Sequence, residues 1–172
     1  DHRDLHSFPT RRSSDLTQVR DTVRVSLANS TSPYAIVDNS IAYLDEQGNA
    51  SIGFVNAPNG SYFVVVKHRN HLETWSNTAM PFATGSTTTF NFTDAANKAY
   101  GSNMKQVGPV FVLYGGDANT DGYVNGTDYT VFKSQFGLDR YKIADFNGDD
   151  FVDGYDALIL YANLGKSYIR PY

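Results

Sequence analysis

Asp117-Ala118-Asn119-Thr120-Asp121-Gly122-Tyr123-Val124-Asn125-Gly126-Thr127-Asp128 is followed, at an offset of 28 residues, by Asp145-Phe146-Asn147-Gly148-Asp149-Asp150-Phe151-Val152-Asp153-Gly154-Tyr155-Asp156. Carboxylates or carboxamides recur at loop positions 1, 3, 5, 9 and 12 of both copies. One loop with that spacing can point several hard oxygen donors at a single large cation, so two calcium sites are the first expectation. Asp, Asn and Gly make good turns without any ion, but the likeness of the copies extends beyond the oxygens. Val124 and Val152 share position 8, Phe132/Leu160 and Phe136/Leu164 follow at matched offsets, and Gly137 and Gly165 close each copy. Each loop is therefore predicted to run into a helix of about ten residues carrying an i, i+4 apolar stripe and ending at a C′ glycine. Neither copy can bury its stripe alone, so the two are expected to pack against each other.

This duplicated loop–helix pattern, from about Gly116 to Lys166, resembles the type I dockerin module. The resemblance implies that Asp117, Asn119, Asp121 and Asp128 ligate a first calcium ion through side chains, Tyr123 through its carbonyl, and Asn125 directly or through water. By the same mapping Asp145, Asn147, Asp149 and Asp156 hold a second ion, with the carbonyl of Phe151 and the position-9 side chain of Asp153. Asp at position 12, where an ordinary EF-hand has Glu, agrees with dockerins. Asp150 departs from the pattern: it stands at position 6, where a sharp turn favours Gly and where Asp tolerates a left-handed backbone less well. The second loop has more carboxylates, so charge favours its ion while backbone strain opposes it.

Residues 1–16, Asp-His-Arg-Asp-Leu-His-Ser-Phe-Pro-Thr-Arg-Arg-Ser-Ser-Asp-Leu, read as the translation of a common short-read sequencing adapter. They are expected to be disordered and are set aside from fold reasoning. Over the full sequence, 41% hydrophobic and 14% aromatic content is enough to build real cores and argues against disorder of the remainder. The formal charge of −4 hides an asymmetry: residues 17–116 carry six acids and six bases, while residues 117–156 carry nine acids against Lys133, Arg140 and Lys142. Such an acidic segment would repel itself without cations, and no basic stripe suits a nucleic acid. Cysteine is absent, which excludes disulfides and zinc–thiolate sites. No apolar run is long enough to span a membrane.

Residues 17–115 read as a β-sandwich domain. Val23, Val25 and Leu27 alternate with polar neighbours, as do Ala50, Ile52 and Phe54, and Thr88, Phe90 and Phe92. Residues 61–67 are more continuously apolar, as expected of a central strand covered on both faces. Turn signals separate these runs at 46–49, 57–60 and 85–86. Residues 93–98 suggest a capped helical turn, and residues 107–113 a last strand that enters the acidic repeat through Gly115-Gly116. The succession of Leu44-to-Gly48 and Asn59-Gly60 turns between strands resembles the carboxypeptidase-regulatory-like family of secreted sandwiches, which implies an immunoglobulin/transthyretin-like fold. As a whole the chain resembles C-terminal regions of surface or secreted proteins of Bacteroidetes-type bacteria, where a sandwich with a segment like Lys67-His68-Arg69-Asn70…Glu73-Thr74-Trp75 precedes a dockerin-like repeat. The expected division is thus 17–115 for the sandwich, 116–166 for two EF-hand-like loop–helix repeats and 167–172 for a tail. So short a linker restricts their relative orientation.

Catalysis is not expected. His68 and His71 lack a Cys partner and read as turn residues beside Trp75, and the sandwich holds no glutamate pair suited to opposed acid–base work. Trp75 with Tyr62, Phe63 or Phe82 is a candidate sugar-stacking platform, although such aromatics more often fill a core. The expected function is that of a non-catalytic, calcium-binding accessory region of a secreted or cell-surface bacterial protein. By the dockerin resemblance it attaches a polysaccharide-degrading protein to a cohesin-like partner through loop positions 10 and 11, Gly126-Thr127 and Gly154-Tyr155. Because Thr127 is the only small hydroxyl at those positions, the first repeat is expected to carry that contact. Cell-surface anchoring, as in an adhesin C-terminus, and carbohydrate binding by the sandwich are the alternatives.

Overall fold

The computed structural model describes residues 21–45 and 47–172; the expectations for residues 1–16 and for Glu46 lie outside the described residues. The chain is mainly β with two helices. Strands β1 (Thr22–Asn29), β2 (Ile36–Tyr43), β3 (Gly60–Lys67), β4 (Thr74–Trp75) and β5 (Met80–Phe82) form one antiparallel sheet in the order β2-β1-β3-β4, with β5 also on β3. A hairpin of β6 (Lys105–Val107) and β7 (Val110–Val112) pairs separately, then come α1 (Gly126–Gln135) and α2 (Gly154–Asn163).

Strand alternation decides which side chains face which way. Val25 lies opposite Val66 and Leu27 opposite Val64, so Val23, Val25, Ala42, Val64 and Val66 gather on one face, where Leu44, Ile52 and Phe54 cover them. Ala28 lies opposite Phe63 and Val65 opposite Trp75, and these four form the other face, under Tyr34, Ala79 and Tyr100. β3 is thus central and covered on both sides, as its unbroken apolar run implies. Residues 50–54 and 88–92 keep their alternation of half-buried and exposed positions but join no ladder. Hydrophobic period specifies a face, whereas pairing also needs a neighbour with free backbone groups at the right height. The last strand expected at 107–113 is instead the β6–β7 hairpin, turned at Gly108. The helical turn at 93–98 shrinks to a 3-10 turn, Ala96–Lys98, with no side-chain cap, because the N-cap position falls on Ala95; the Thr93 hydroxyl bonds Asn91 Oδ1.

The helices start and stop as the repeat implies. Asn125 Oδ1 accepts the Thr127 N–H at 2.8 Å while Asp128 Oδ2 accepts the Asn125 N–H at 2.8 Å. The equivalent bonds in the second copy, Tyr155 N–H to Asp153 Oδ1 and Asp153 N–H to Asp156 Oδ2, measure 2.7 and 2.9 Å. Loop positions 9 and 12 are therefore the N-cap and N3 of a capping box. Gly137 and Gly165, at φ +79° and +82°, turn the chain out of each helix. The two copies interlock: Val124 exchanges backbone bonds with Gly165 and Lys166, and Val152 with Gly137 and Leu138. Phe132 and Leu160 are buried, but Phe136 and Leu164, expected to continue the stripe, are C-cap residues 57% and 46% exposed.

The helical module is completed by a residue from the sheet domain. The turn joining β3 to β4 inserts Leu72, 0% exposed, among Ala118, Val124, Phe132, Ala144, Phe146, Val152 and Leu160. Backbone bonds secure it, from Leu72 N–H to the Tyr114 carbonyl and from the Gly116 and Asp117 N–H groups to the Asn70 carbonyl. Asn70, also fully buried, spends its amide Nδ2–H₂ on the carbonyls of Ile143 and Asp145, both at 2.8 Å. The C-terminal residues add a second tie: Ile169 bridges Thr74, and the Tyr168 N–H bonds the Gly122 carbonyl at 3.0 Å. A cavity left by Leu72→Ala should cost about 3 kcal/mol. Because that cavity lies in a shared core, denaturant unfolding followed at Trp75 fluorescence and at helical circular dichroism should shift together. A shift confined to the helical signal would mean that the two parts fold independently.

Candidate metal centre

The two acidic loops share one hydrogen-bonding plan. At position 3, Asn119 Oδ1 accepts the Asp121 N–H at 3.1 Å, and Asn147 Oδ1 accepts the Asp149 N–H at 3.0 Å. At position 5, Asp121 Oδ1 accepts from Tyr123 N–H and Asp149 Oδ1 from Phe151 N–H, at 2.9 and 3.0 Å. Position 12 closes the loop: Asp128 Oδ1 accepts the Asn119 N–H, and Asp156 Oδ1 accepts the N–H groups of Phe146 and Asn147. Each loop is a chain of Asx turns wound around its own carboxylates. The position-1 and position-12 carboxylates, Asp117, Asp128, Asp145 and Asp156, are all buried, while positions 3 and 5 are exposed.

Where the loops differ is the first carboxylate. Asp145 Oδ1 accepts N–H bonds from Gly148 and Asp149, Oδ2 accepts from Asp150 at 3.1 Å, and the Arg69 guanidinium stands 3.8 Å from Oδ2. Asp117 Oδ2 accepts the Gly122 N–H, at 3.2 Å, and Oδ1 is buried with no hydrogen-bond partner among the described residues. Burial, and next the charge of Asp128, push the Asp117 carboxyl up to about 6. Asp145 is also raised by burial, but its backbone donors and Arg69 oppose the rise. A buried carboxylate oxygen without a donor is costly unless a cation meets it. The residues present therefore fit a hard divalent ion: loop 1 offers carboxylates, a carboxamide and main-chain carbonyls, the donor types such an ion takes. Among the described residues, no three His, Cys, Asp or Glu side chains come together as a metal cluster. The aspartates of each loop, Asp117, Asp121 and Asp128 in the first and Asp145, Asp149, Asp153 and Asp156 in the second, are thus not gathered into a ready cluster in this structure.

Backbone strain is present in both loops at different positions. Position 6 is left-handed in each, at Gly122 (φ +85°) and Asp150 (φ 69°), as the sequence implies for Asp150. Gly122 has a second reason to lack a side chain, since a Cβ there would lie 2.5 Å from the Tyr168 ring. Position 4 is left-handed too, at Thr120 (φ 59°) and Gly148 (φ 75°), which sequence reasoning missed. Each loop thus carries one glycine and one strained residue at these two positions.

Sequence reasoning also overlooked the role of residues 68–73. His68 Nε2 lies 2.8 Å from Asp21 Oδ2, His68 Nδ1 lies 2.7 Å from His71 Nδ1, and His71 Nδ1 lies 2.8 Å from Asn70 Oδ1. Asn70 presents Oδ1 because its amide nitrogen is committed to two carbonyls. His71 Nδ1–H therefore donates, His68 Nδ1 accepts, and His68 Nε2–H donates to Asp21. Burial first, and His68 next, push His71 down to about 3, while the His68 bond holds Asp21 down at about 2. The pair has a structural task at the junction and holds no nucleophile. Trp75 is 3% exposed, with Nε1 donating to Glu73 Oε1 at 2.7 Å, and Tyr62 and Phe63 are buried as well. The sugar-stacking platform is thereby corrected: these rings are core.

Residues 115–165 match the family model described as the dockerin type I domain. Among solved structures, the chain is similar to an N-terminal interface mutant of a type II cohesin–X-dockerin complex from Acetivibrio cellulolyticus. The TM-score is 0.51 at 19% identity, covering 90% of this chain and 88% of that one. A C-terminal interface mutant of the same complex gives the same figures. At that identity the likeness is one of fold, and it spans the sheet domain together with the helical module. No curated protein matches the chain. The residues matched by the family model, 115–165, are those that carry the sequence resemblance.

In chelator, the raised Asp117 carboxyl sets a definite pH dependence. A folded value of about 6 against an ordinary 3.8 contributes stability below pH 3.8 that is lost as pH rises through about 6. Wild-type melting temperatures in chelator, taken relative to Asp117→Asn, should therefore fall between those two values. A flat difference would show that Asp117 carries no uncompensated charge. Separately, Thr120→Gly and Asp150→Gly should each stabilise the cation-free protein by about 1 kcal/mol through relief of left-handed strain, measured by denaturant midpoint.

Proposed function

We propose that this chain is a calcium-dependent, non-catalytic attachment region of a secreted bacterial protein. In this reading the sheet domain and the dockerin module act as one unit that docks onto a cohesin-like partner. The observation that carries it is the pair of wound acidic loops, one with an unsatisfied buried carboxylate oxygen, inside a segment that matches the dockerin type I domain. Asp117, Asn119, Asp121, Asn125, Asp128 and the Tyr123 carbonyl would hold one ion. Asp145, Asn147, Asp149, Asp153, Asp156 and the Phe151 carbonyl would hold the other. The ions supply positive charge that the acidic segment lacks. The sheet domain corresponds in this reading to the part of the similar complexes that precedes the dockerin, and a polysaccharide-degrading partner domain elsewhere in the parent protein is consistent with such an attachment role.

The partner surface is best sought on α2. Thr127 Oγ1, the small hydroxyl that draws attention in the sequence, bonds Asn125 Oδ1 and Asn119 Nδ2 within its own loop. The exposed side of α1 carries Thr130, Lys133 and Ser134. By contrast, Tyr155, Leu158 and Tyr161 stand 67%, 64% and 53% exposed along one side of α2, and the Tyr161 ring lies 6.0 Å from that of Tyr129. An apolar stripe of this kind suits a partner's flat sheet surface better than it suits water. Calcium should raise the melting temperature of the full chain, and Leu158→Arg should weaken binding to a cohesin panel at least tenfold with folding intact. Thr127→Arg should act mainly by lowering calcium affinity. Identical melts in calcium and in chelator would sink the cation reading, and undiminished cohesin binding by Leu158→Arg would move the surface elsewhere.

A further inference from the structure

We propose that Arg69 of the sheet domain is the internal counter-ion of the second acidic loop, so that this loop closes without a cation while the first loop depends on one. The proposal deepens the calcium reading above. It rests on a contrast between the two copies that their sequences hide. The second loop has five aspartates, Asp145, Asp149, Asp150, Asp153 and Asp156, against three in the first, Asp117, Asp121 and Asp128. On charge alone the second should need an ion more. The hydrogen bonds say the opposite: both oxygens of Asp145 accept backbone N–H groups, and it is Asp117 Oδ1 that is left with none.

Arg69 completes that difference. Its guanidinium lies 4.2 Å from the Tyr141 ring centroid, donates through Nη1 to the Lys142 carbonyl and through Nη2 to the Asp145 carbonyl at 3.1 Å, and stands 3.8 Å from Asp145 Oδ2. Arginine suits this place because a planar fork can span two carbonyls and stack on a ring at once. The side chains of both partners are largely withdrawn from water, at 13% and 1% exposure, so their attraction is poorly screened. Among the described residues no lysine or arginine is ion-paired with Asp117; Lys67 and Arg170 share with it the lining of an open cleft of about 230 Å³. Arg69 therefore holds the segment that enters loop 2, Lys142 to Asp145, in place and competes with any ion for the same carboxylate. The sheet domain and the second ion become alternative sources of one positive charge.

The test uses the full chain, with calcium as the probe, amide hydrogen exchange as the structural readout and calorimetry for binding. In chelator, the amides of Gly148, Asp149 and Asp150 should stay protected in the wild type while that of Gly122 exchanges at least tenfold faster; calcium should then protect Gly122 selectively. Arg69→Met should lose about tenfold protection at 148–150 in chelator, recover it with calcium, and bind the second ion several-fold more tightly. Tyr141→Ala, an exposed change that leaves the core alone, should move protection at 148–150 in the same direction by roughly two- to threefold, which keeps the test open if Arg69→Met folds poorly. Unchanged protection at 148–150 in these variants, or equal gains by both wild-type loops on adding calcium, would overturn the proposal. Failure of the wild type to bind calcium would instead remove the cation reading, while the chelator comparison would still judge Arg69.

Discussion

The insertion of Asn70 and Leu72 into the helical module is the contact on which the rest of the structure depends. A module of two ten-residue helices and two acidic loops has few apolar residues of its own, and small domains bury too little surface to be comfortably stable. Leu72 adds a fully buried side chain at the centre of that small core. Asn70 does a different job, satisfying the Ile143 carbonyl and sharing the Asp145 carbonyl with Arg69 Nη2 at the point where the second loop begins. Gly115 permits the approach: a Cβ there would meet Ile159 at 3.1 Å and His71 at 3.2 Å. The two-part architecture is therefore one continuous packing problem, solved at a turn between two strands.

Within the module, the same side chains serve the loop and the helix. Asn125 and Asp153 cap α1 and α2, and Asp128 and Asp156 return the capping bond while closing the loops onto position 3, and in the second copy onto position 2 as well. Acidic groups at N3 also sit favourably at the positive end of the helix dipole. An ion drawn to these oxygens would bind groups already ordered by helix formation, so less conformational entropy remains to be lost. That sharing explains why a motif of only twelve residues can specify an ion site, a turn and a helix start together.

How much of this is legible in the sequence depends on the range of the interaction. The loops, the helix lengths, the glycine exits and the left-handed Asp150 follow from local chemistry, and each is found where the spacing implies. Strand β3 was readable because its apolar run is continuous. The false strands at 50–54 and 88–92 show the limit: alternation assigned their faces correctly, but whether a partner strand stands beside them is a long-range property. His68 and His71 read as strand-end or turn residues beside Trp75, and both lie in the connection between β3 and β4. Nothing local could indicate that the Asn70 amide meets carbonyls more than seventy residues away. The one available hint was chemical, since Lys67-His68-Arg69-Asn70-His71 before Leu72 is oddly polar for a turn that ends in a buried apolar residue.

The asymmetry between the repeats follows from the same long-range contact. Duplication supplies two equal loops, and a pseudo-symmetric pair would titrate and bind alike if each saw only the other. The sheet domain breaks that equivalence because it touches one loop's entry through Arg69 and the Asn70 amide, and meets the entry of the other through the Asn70 carbonyl, which supplies no positive charge. Counting carboxylates ranks the loops in the wrong order for dependence on an ion. What matters is which carboxylate oxygens the protein itself leaves without a donor, and that is decided outside the repeat.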